Sequence, residues 1–212
     1  MKYHYPVISL TILLAASTLP AQAQSEPGPT AHRPALLRLG LGSCLNGSGD
    51  YGVMKTYLEY APQFGKHLRL GSRLAVISGS NHIDFGEDYN GRNYTVKESY
   101  RAVNLEQEVY WLPFGTDKTV EFSVGVGAFG GYGSSKGLTY GGFSLNQATN
   151  QLEFSYAPSD ERGFHAGYIA SLNVDVAIDP ARTWRVGGKL SLQNDTRANI
   201  LPGAQFQVSR AW

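Results

Sequence analysis

The chain has 212 residues, with 18 basic and 17 acidic side chains, 25 glycines, 13 tyrosines and one cysteine. A net charge of +1 offers no basic face and argues against a nucleic-acid partner. The lone Cys44 cannot form an internal disulfide, so a chain of this length, one domain by size, must be held by its core or its sheet.

Lys2 is the only charge before an uncharged, mostly apolar run over 7–19 that ends at Pro20 and "AQA". This pattern predicts a signal peptide over 1–23, cut after Ala23. Its apolar core is shorter than the roughly 20 residues a spanning helix needs, and no later segment reaches that length. Removal of Lys2 leaves 17 basic against 17 acidic residues. Residues 24–35, with "SEPGPTAHRP" inside them, carry no apolar pattern and read as a flexible leader before a domain over 36–212.

From residue 36 the chain alternates apolar and polar side chains in eight segments: 36–45, 52–62, 68–79, 99–112, 119–130, 164–178, 183–194 and 204–212. No long window shows helical spacing, so the class is all-β. Three connections are short ("QFGKH", "PFGTDK", "DPAR"), and they alternate with mostly longer polar ones: "NGSGDY", 80–98, 131–163 and "DTRANILPG". An even strand number with tight turns at one end and longer loops at the other predicts an up-and-down antiparallel barrel in an outer membrane. Ten residues at about 3.3 Å each, tilted by about 45°, cover roughly 23 Å, close to the apolar band of such barrels.

One parity collects Leu37, Leu39, Leu41, Met54, Leu58, Leu74, Val76, Val103, Leu105, Val109, Phe122, Val126, Tyr168, Leu172, Val186 and Leu190, and is expected to face lipid. The other holds Arg38, Lys55, Glu59, Arg69, Arg73, Glu106, Glu108, Glu121, Asp175, Arg185 and Lys189, six cations and five anions. A mid-depth Arg or Lys facing lipid costs about 2–4 kcal/mol, so these are expected inside as a salt-bridged plug. Eight strands leave a lumen only wide enough for side chains. Trp111, Trp184 and Trp212 fall at the short-turn end and, with Tyr60, predict an interfacial aromatic belt. Gln107 breaks the parity and implies a bulge or a register error there. Cys44 reads as a packed strand residue.

The last segment, "AQFQVSRAW", alternates to its end and requires a partner on both edges; the first segment, 36–45, is that partner. With the leading signal and the sorted loops, it resembles the small, mostly eight-stranded, porin-like outer-membrane β-barrel family of Gram-negative cell envelopes. The resemblance implies recognition of Phe206, Val208 and Trp212 by the barrel-assembly machinery, although the family more often ends in Phe.

Candidate chemistry is sparse. "GVGAFG" (125–130) matches a dinucleotide fingerprint but lacks the βαβ unit that would seat a pyrophosphate. "DYNGRN" (88–93) echoes a calcium loop without its twelfth-position Glu. The five histidines show no pair at metal-ligand spacing. A lipid A deacylase of this size would carry His-x-Ser, whereas His165 is followed by Ala166 and Gly167. An acyltransferase triad could be assembled only from Ser80, His82 and Asp84. No catalytic residue, cofactor or metal site is therefore expected. The expected partners are outer-membrane lipid and an extracellular ligand at loops 80–98 and 131–163, which are rich in Tyr, Asn and Gly. A structural or adhesive barrel is the leading reading, with a lipid A-modifying enzyme or a narrow pore as alternatives.

Overall fold

The computed structural model describes residues 35–47, 51–87, 93–116, 118–148, 151–196 and 200–212. The expected signal, all but one residue of the leader, and residues 88–92 of the calcium-like stretch lie outside them. Nine strands follow in order: β1 (Leu36–Asn46), β2 (Tyr51–Ala61), β3 (Gln63–Phe64), β4 (Leu68–Glu87), β5 (Asn93–Trp111), β6 (Val120–Asn146), β7 (Gln151–Ala177), β8 (Trp184–Asp195) and β9 (Ile200–Ala211). β3 is a two-residue strand inside the "QFGKH" turn, paired with the start of β4. The eight long strands pair antiparallel, each with its long neighbours in sequence, and β1 pairs with both β2 and β9, which closes the barrel. Closure satisfies the backbone on both edges of every strand within the barrel wall, as hydrocarbon demands.

The two parities separate as the alternation requires. None of the apolar set is buried, with Leu39 60% and Phe206 59% exposed, whereas the opposite parity reads buried at nearly every position of β1, β2 and β5. On β6 the outward positions from Val120 to Tyr132 hold no charge. These 12 steps, at about 3.3 Å each and tilted by about 45°, span about 28 Å, enough to cross a bilayer core.

Three expectations are corrected. Gln107 produces no bulge: β5 stays in continuous register through Ser72↔Gln107 and Gln107↔Ala128. The Gln107 side chain points outward, where its Oε1 accepts the Ser72 hydroxyl at 3.0 Å, so a cross-strand bond answers its polarity. The stretches 80–98 and 131–163 are not loops. β4 and β5 pair up to Glu87↔Asn93, and β6 and β7 pair up to Asn146↔Gln151. Beyond the bilayer both faces of a strand meet water, so the alternation that marks a strand in the sequence fades there while the ladder continues. β9 likewise begins earlier than the alternation suggests, at Ile200, and takes in Pro202. Pro202 pairs with Leu192 of β8, while the β1 pairing ends at Gly203, so its missing N–H falls where β9 lacks its second partner.

The β7–β8 turn shows how a short connection is fixed. The Arg182 N–H donates to the Asp179 carbonyl at 3.0 Å, and the Asp179 carboxylate accepts the N–H groups of Trp184 at 2.7 Å and Thr183 at 3.0 Å. The Trp184 N–H, chiefly, holds that carboxyl below its usual range. A lowered folded pKa means that this support is complete above the ordinary Asp value of about 3.9 and is lost as pH falls through the lowered one. The Trp184 amide resonance is expected to titrate with a midpoint below that ordinary value and to stop titrating in Asp179→Asn; a midpoint at or above it contradicts the turn. Nitroxides placed at Leu105 and Glu106 test the parity itself: the first is expected to be oxygen-accessible and the second shielded, and the reverse result would invert the barrel.

Candidate functional site

Inside the wall, charges are set opposite one another by register. Arg38↔Glu59, Glu59↔Arg73 and Arg73↔Glu106 are direct cross-strand partners, so one row across β1, β2, β4 and β5 alternates in sign. Arg73 is the hub, with Nη2 at 2.8 Å from Glu59 and Nη1 at 2.6 Å from Glu106 and 2.9 Å from Glu108. Arg38 joins Glu59 at 3.0 Å to Asp175 at 2.9 Å. Lys55 meets Glu106 at 2.6 Å, and Lys189 meets Glu108 at 2.9 Å. These eight groups, four of each sign, form one connected network. Arg69, Glu121 and Arg185 form a separate trio at 3.2 and 3.1 Å. All eleven charged residues of the inward set are thus ion-paired, and each is at most 4% exposed.

Polar neighbours take up some of the remaining lone pairs and protons, while Arg38 Nε, Arg69 Nε and Arg185 Nη1 stay buried without a hydrogen-bond partner among the described residues. Gln193 donates to Glu106 at 2.7 Å and accepts from Lys55 at 3.0 Å. Ser171 donates to Glu108 at 2.6 Å, and Gln207 donates to Asp175 at 2.7 Å. Two tyrosines brace the charges: the Arg73 guanidinium lies 4.6 Å from the Tyr57 ring centroid, and Arg38 and Lys189 lie 5.4 and 5.1 Å from that of Tyr110. Each tyrosine stands opposite a glycine, in the pairs Gly40↔Tyr57 and Tyr110↔Gly125. A Cβ on Gly40 would sit 2.1 Å from Tyr57 Cζ, so the ring needs that glycine. The charge pattern alone misses Tyr57 and Tyr110; the signal that finds them is an inward tyrosine whose cross-strand partner is glycine.

Toward the long-hairpin end the lumen changes character. Cys44 lies buried with Val53, Ile77, Tyr100, Ala102 and Leu201 in an apolar layer. Below the barrel rim, His165 sits between Asp195 and Asn104, with Nδ1 and Nε2 each 2.9 Å from a carboxylate or amide oxygen. Sequence reasoning left His165 unassigned because its partners come from other strands.

At the short-turn end Tyr60, Trp111, Trp184 and Trp212 are all outward and 44–62% exposed. Tyr60, Leu37, Arg210 and Trp184 occupy one cross-strand row. Arg210, which the sequence reading did not assign, shares this outward face, its guanidinium 5.4 Å from the Trp184 ring and 4.5 Å from that of Trp212. Of the closing-strand residues, Phe206 is exposed and Val208 half-buried, both on the outer face.

Ser80, His82 and Asp84 share the outward face of β4, all exposed. Among the described residues no hydrogen bond links them, and Asp84 accepts the Gly86 N–H at 2.9 Å instead. The glycines of "GVGAFG" lie within β6, and among the described residues no helix stands beside them. Among the described residues no group of three His, Cys, Asp or Glu side chains is placed to hold a metal ion.

Past the barrel wall the β4–β5 and β6–β7 hairpins continue side by side. β5 and β6 stop pairing at Ser99↔Lys136, and beyond that point aromatic rings connect the hairpins. Phe154 packs 5.0 Å from Phe85, 4.7 Å from Tyr94, 5.2 Å from Phe143 and 5.9 Å from Tyr156.

No family model matches the sequence, and no curated protein matches it. Solved structures do. The chain is similar to Ail, the attachment invasion locus protein of Yersinia pestis, solved in complex with the heparin analogue sucrose octasulfate, at a TM-score of 0.52 and 8% identity over 85% of this chain and 99% of that one. It is similar to Neisserial surface protein A at a TM-score of 0.52 and 8% identity, over 83% and 96% of the two chains. The fold is that of the eight-stranded outer-membrane β-barrels. With its apolar side chains outside and its charges within, the chain is an outer-membrane protein.

Breaking the network at its hub gives the sharpest stability test. Arg73→Met leaves Glu59, Glu106 and Glu108 short of a shared cation, a loss of about 3–5 kcal/mol for a buried pair. The exposed Lys136–Asp160 contact, at 3.6 Å, is screened by water and salt and adds little, so Lys136→Gln serves as the comparison. Urea unfolding followed by heat-modifiable gel migration is expected to separate the two variants clearly; equal midpoints would show that the network does not stabilise the barrel.

Proposed function

We propose that this protein is a non-enzymatic outer-membrane barrel that works through its exterior hairpins, with a lumen plugged by paired charges. The observation that carries the reading is the length of those hairpins. β6 continues 14 residues past Tyr132, the last aromatic row of the wall, or about 45 Å of extended chain. A barrel that served only to sit in the bilayer needs none of it.

The tips suit recognition. Phe85, Tyr94, Phe143 and Phe154 hold one another, so the surface is ordered before a partner arrives and little conformational entropy is lost on binding. Tyr156 and Leu145 stay 56% and 55% exposed. Beyond Ser78, where the β2 pairing ends, β4 is hydrogen-bonded on one side only among the described residues, and so is β7 beyond Ala166, whose carbonyl still accepts the Thr196 N–H. Such edges can accept an added strand. A similar barrel bears attachment in its name, that of Ail. The near-complete burial of the lumen charges, together with the apolar layer around Cys44, supports a plug rather than a pore. Ser80, His82 and Asp84 are not linked by any hydrogen bond among the described residues, which speaks against a lipid A enzyme built on them.

The remaining parts follow from the same reading. Residues 1–23 direct export and 24–35 form a leader. Phe206, Val208 and Trp212 signal assembly. Tyr60, Trp111, Trp184 and Trp212 seat the barrel at the inner interface, where Arg210 reaches the headgroups between two indoles.

Cells displaying the full chain, and a variant whose β6–β7 hairpin beyond Lys136 is replaced by a tight turn, can be compared for retention on cultured epithelial monolayers. The expected result is at least a tenfold loss of retention with unchanged heat-modifiable migration. Equal retention would refute hairpin-mediated binding. In planar bilayers the full chain is expected to give no discrete conductance steps, and regular steps would refute the plug.

A further inference from the structure

On the outer wall of β5, β6 and β7 register builds three stacked rows of outward side chains. The lowest is Val103, Tyr132 and Phe164; the next is Arg101, Ser134 and Arg162; the third is Ser99, Lys136 and Asp160. Tyr132 and Phe164 pack edge to face at 5.3 Å and are 49% and 85% exposed. They crown the uncharged band of β6, so this row marks the outer hydrocarbon boundary. Two residues further along a tilted strand is about 5 Å higher, the level of lipid headgroups.

At that level the wall opens into a groove of about 680 Å³ lined by Lys97, Arg101, Lys136 and Arg162, with Ser99 and Ser134 between them. These are four cations in one groove of a chain whose formal net charge is +1. Asp160 engages Arg162 through two hydrogen bonds at 3.0 Å and Lys136 at 3.6 Å, all at exposed positions where water and salt compete. Among the described residues Lys97 and Arg101 have no ion-pair partner. Directly below, and sharing Arg101, Tyr132 and Ser134, lies a second groove of about 450 Å³ whose apolar side is Val76, Val103 and Tyr132. At the corresponding level of β1, β2, β8 and β9 the described outward residues carry no cation.

A basic groove stacked on an apolar one, astride the membrane boundary, matches an amphiphile and not a free ion. We propose that it holds the phosphate-bearing headgroup of an outer-leaflet glycolipid. Arg101 and Arg162 grip phosphate oxygens through their planar forks, Lys97 and Lys136 supply point charges, the two serines donate hydroxyls, and an acyl chain runs down the Val76–Val103–Tyr132 groove. The site lies on the wall below the hairpin tips and does not depend on their binding a partner.

The test is a titration of the purified full-length chain in detergent, followed by intrinsic fluorescence or native mass spectrometry. The probes are bisphosphorylated lipid A, the same lipid enzymatically dephosphorylated, inorganic phosphate and a sulfated disaccharide. The expected result is at least tenfold tighter binding of the phosphorylated than the dephosphorylated lipid, with inorganic phosphate and the disaccharide weaker than either. That preference is lost in R101Q/K136Q, partly lost in each single variant and retained in K66Q at the opposite end. Equal affinity for the two lipids, or a preference that survives R101Q/K136Q, overturns the headgroup assignment. A soluble anion that binds as tightly as the lipid also overturns it, by making the groove a site for free or glycan-borne anions.

Discussion

Four cations and four anions enclosed in a closed sheet set the terms for the rest of this molecule. An unpaired charge in such a place costs several kcal/mol, and turning it outward exchanges that cost for burial in hydrocarbon. The only inexpensive state is one in which every group meets opposites at hydrogen-bond distance, as Arg73 does with three carboxylates. Because the Arg38–Glu59–Arg73–Glu106 row crosses four strands, a slip of one residue in any of them would break the ion pairs and expose charge to lipid together. The network therefore specifies register as well as adding stability. The Gly40–Tyr57 and Tyr110–Gly125 pairs reinforce this, since the Tyr57 ring needs Gly40 and the Tyr110 ring fits between Gly71 and Gly125.

The same strands cross two solvents, and the physics changes at the boundary. Inside the bilayer, backbone bonds must be made within the wall and outward side chains must be apolar, which leaves little freedom. Above the Tyr132–Phe164 row neither condition applies. There strands can end their pairing on one side, as β4 does after Ser78, and hydrophobic rings can gather between hairpins instead of facing lipid. Ordered but unconstrained by the membrane, this region is where a binding surface can be built without disturbing the barrel.

That boundary also decides what was legible in the sequence. Within the wall, period-two alternation traced every long strand and the closing pair of first and last segments, because membrane and lumen impose opposite demands on adjacent residues. Where both faces of a strand meet water the demand vanishes, so 80–98 and 131–163 read as loops although they are paired almost to their tips. Gln107 looked like a register fault because parity counts polarity alone, while a hydroxyl on the neighbouring strand makes its amide tolerable. Arg210 went unassigned because an outward arginine at the interface has its head in reach of water. Tyr57, Tyr110 and His165 were hidden for a different reason: their partners are distant in the chain and become neighbours only when the register is known.

Register finally links the interior to the outer wall. β5 carries Glu106, Glu108 and Tyr110 on its inward face and Lys97, Ser99 and Arg101 on its outward face, so the contacts that fix the first set fix the heights of the second. β6 and β7 do the same through Glu121 and Asp175 inside and Lys136 and Arg162 outside. The cations of the groove owe their common level above the aromatic row to pairing within strands that the lumen locks in place. Side chains on such a wall are positioned more rigidly than any on a loop, which suits a ligand that is itself confined to one depth of the membrane. The buried charges and the exposed ones are thus opposite faces of a single constraint: inward pairing selects the register, and the register places the groove where headgroup phosphates lie.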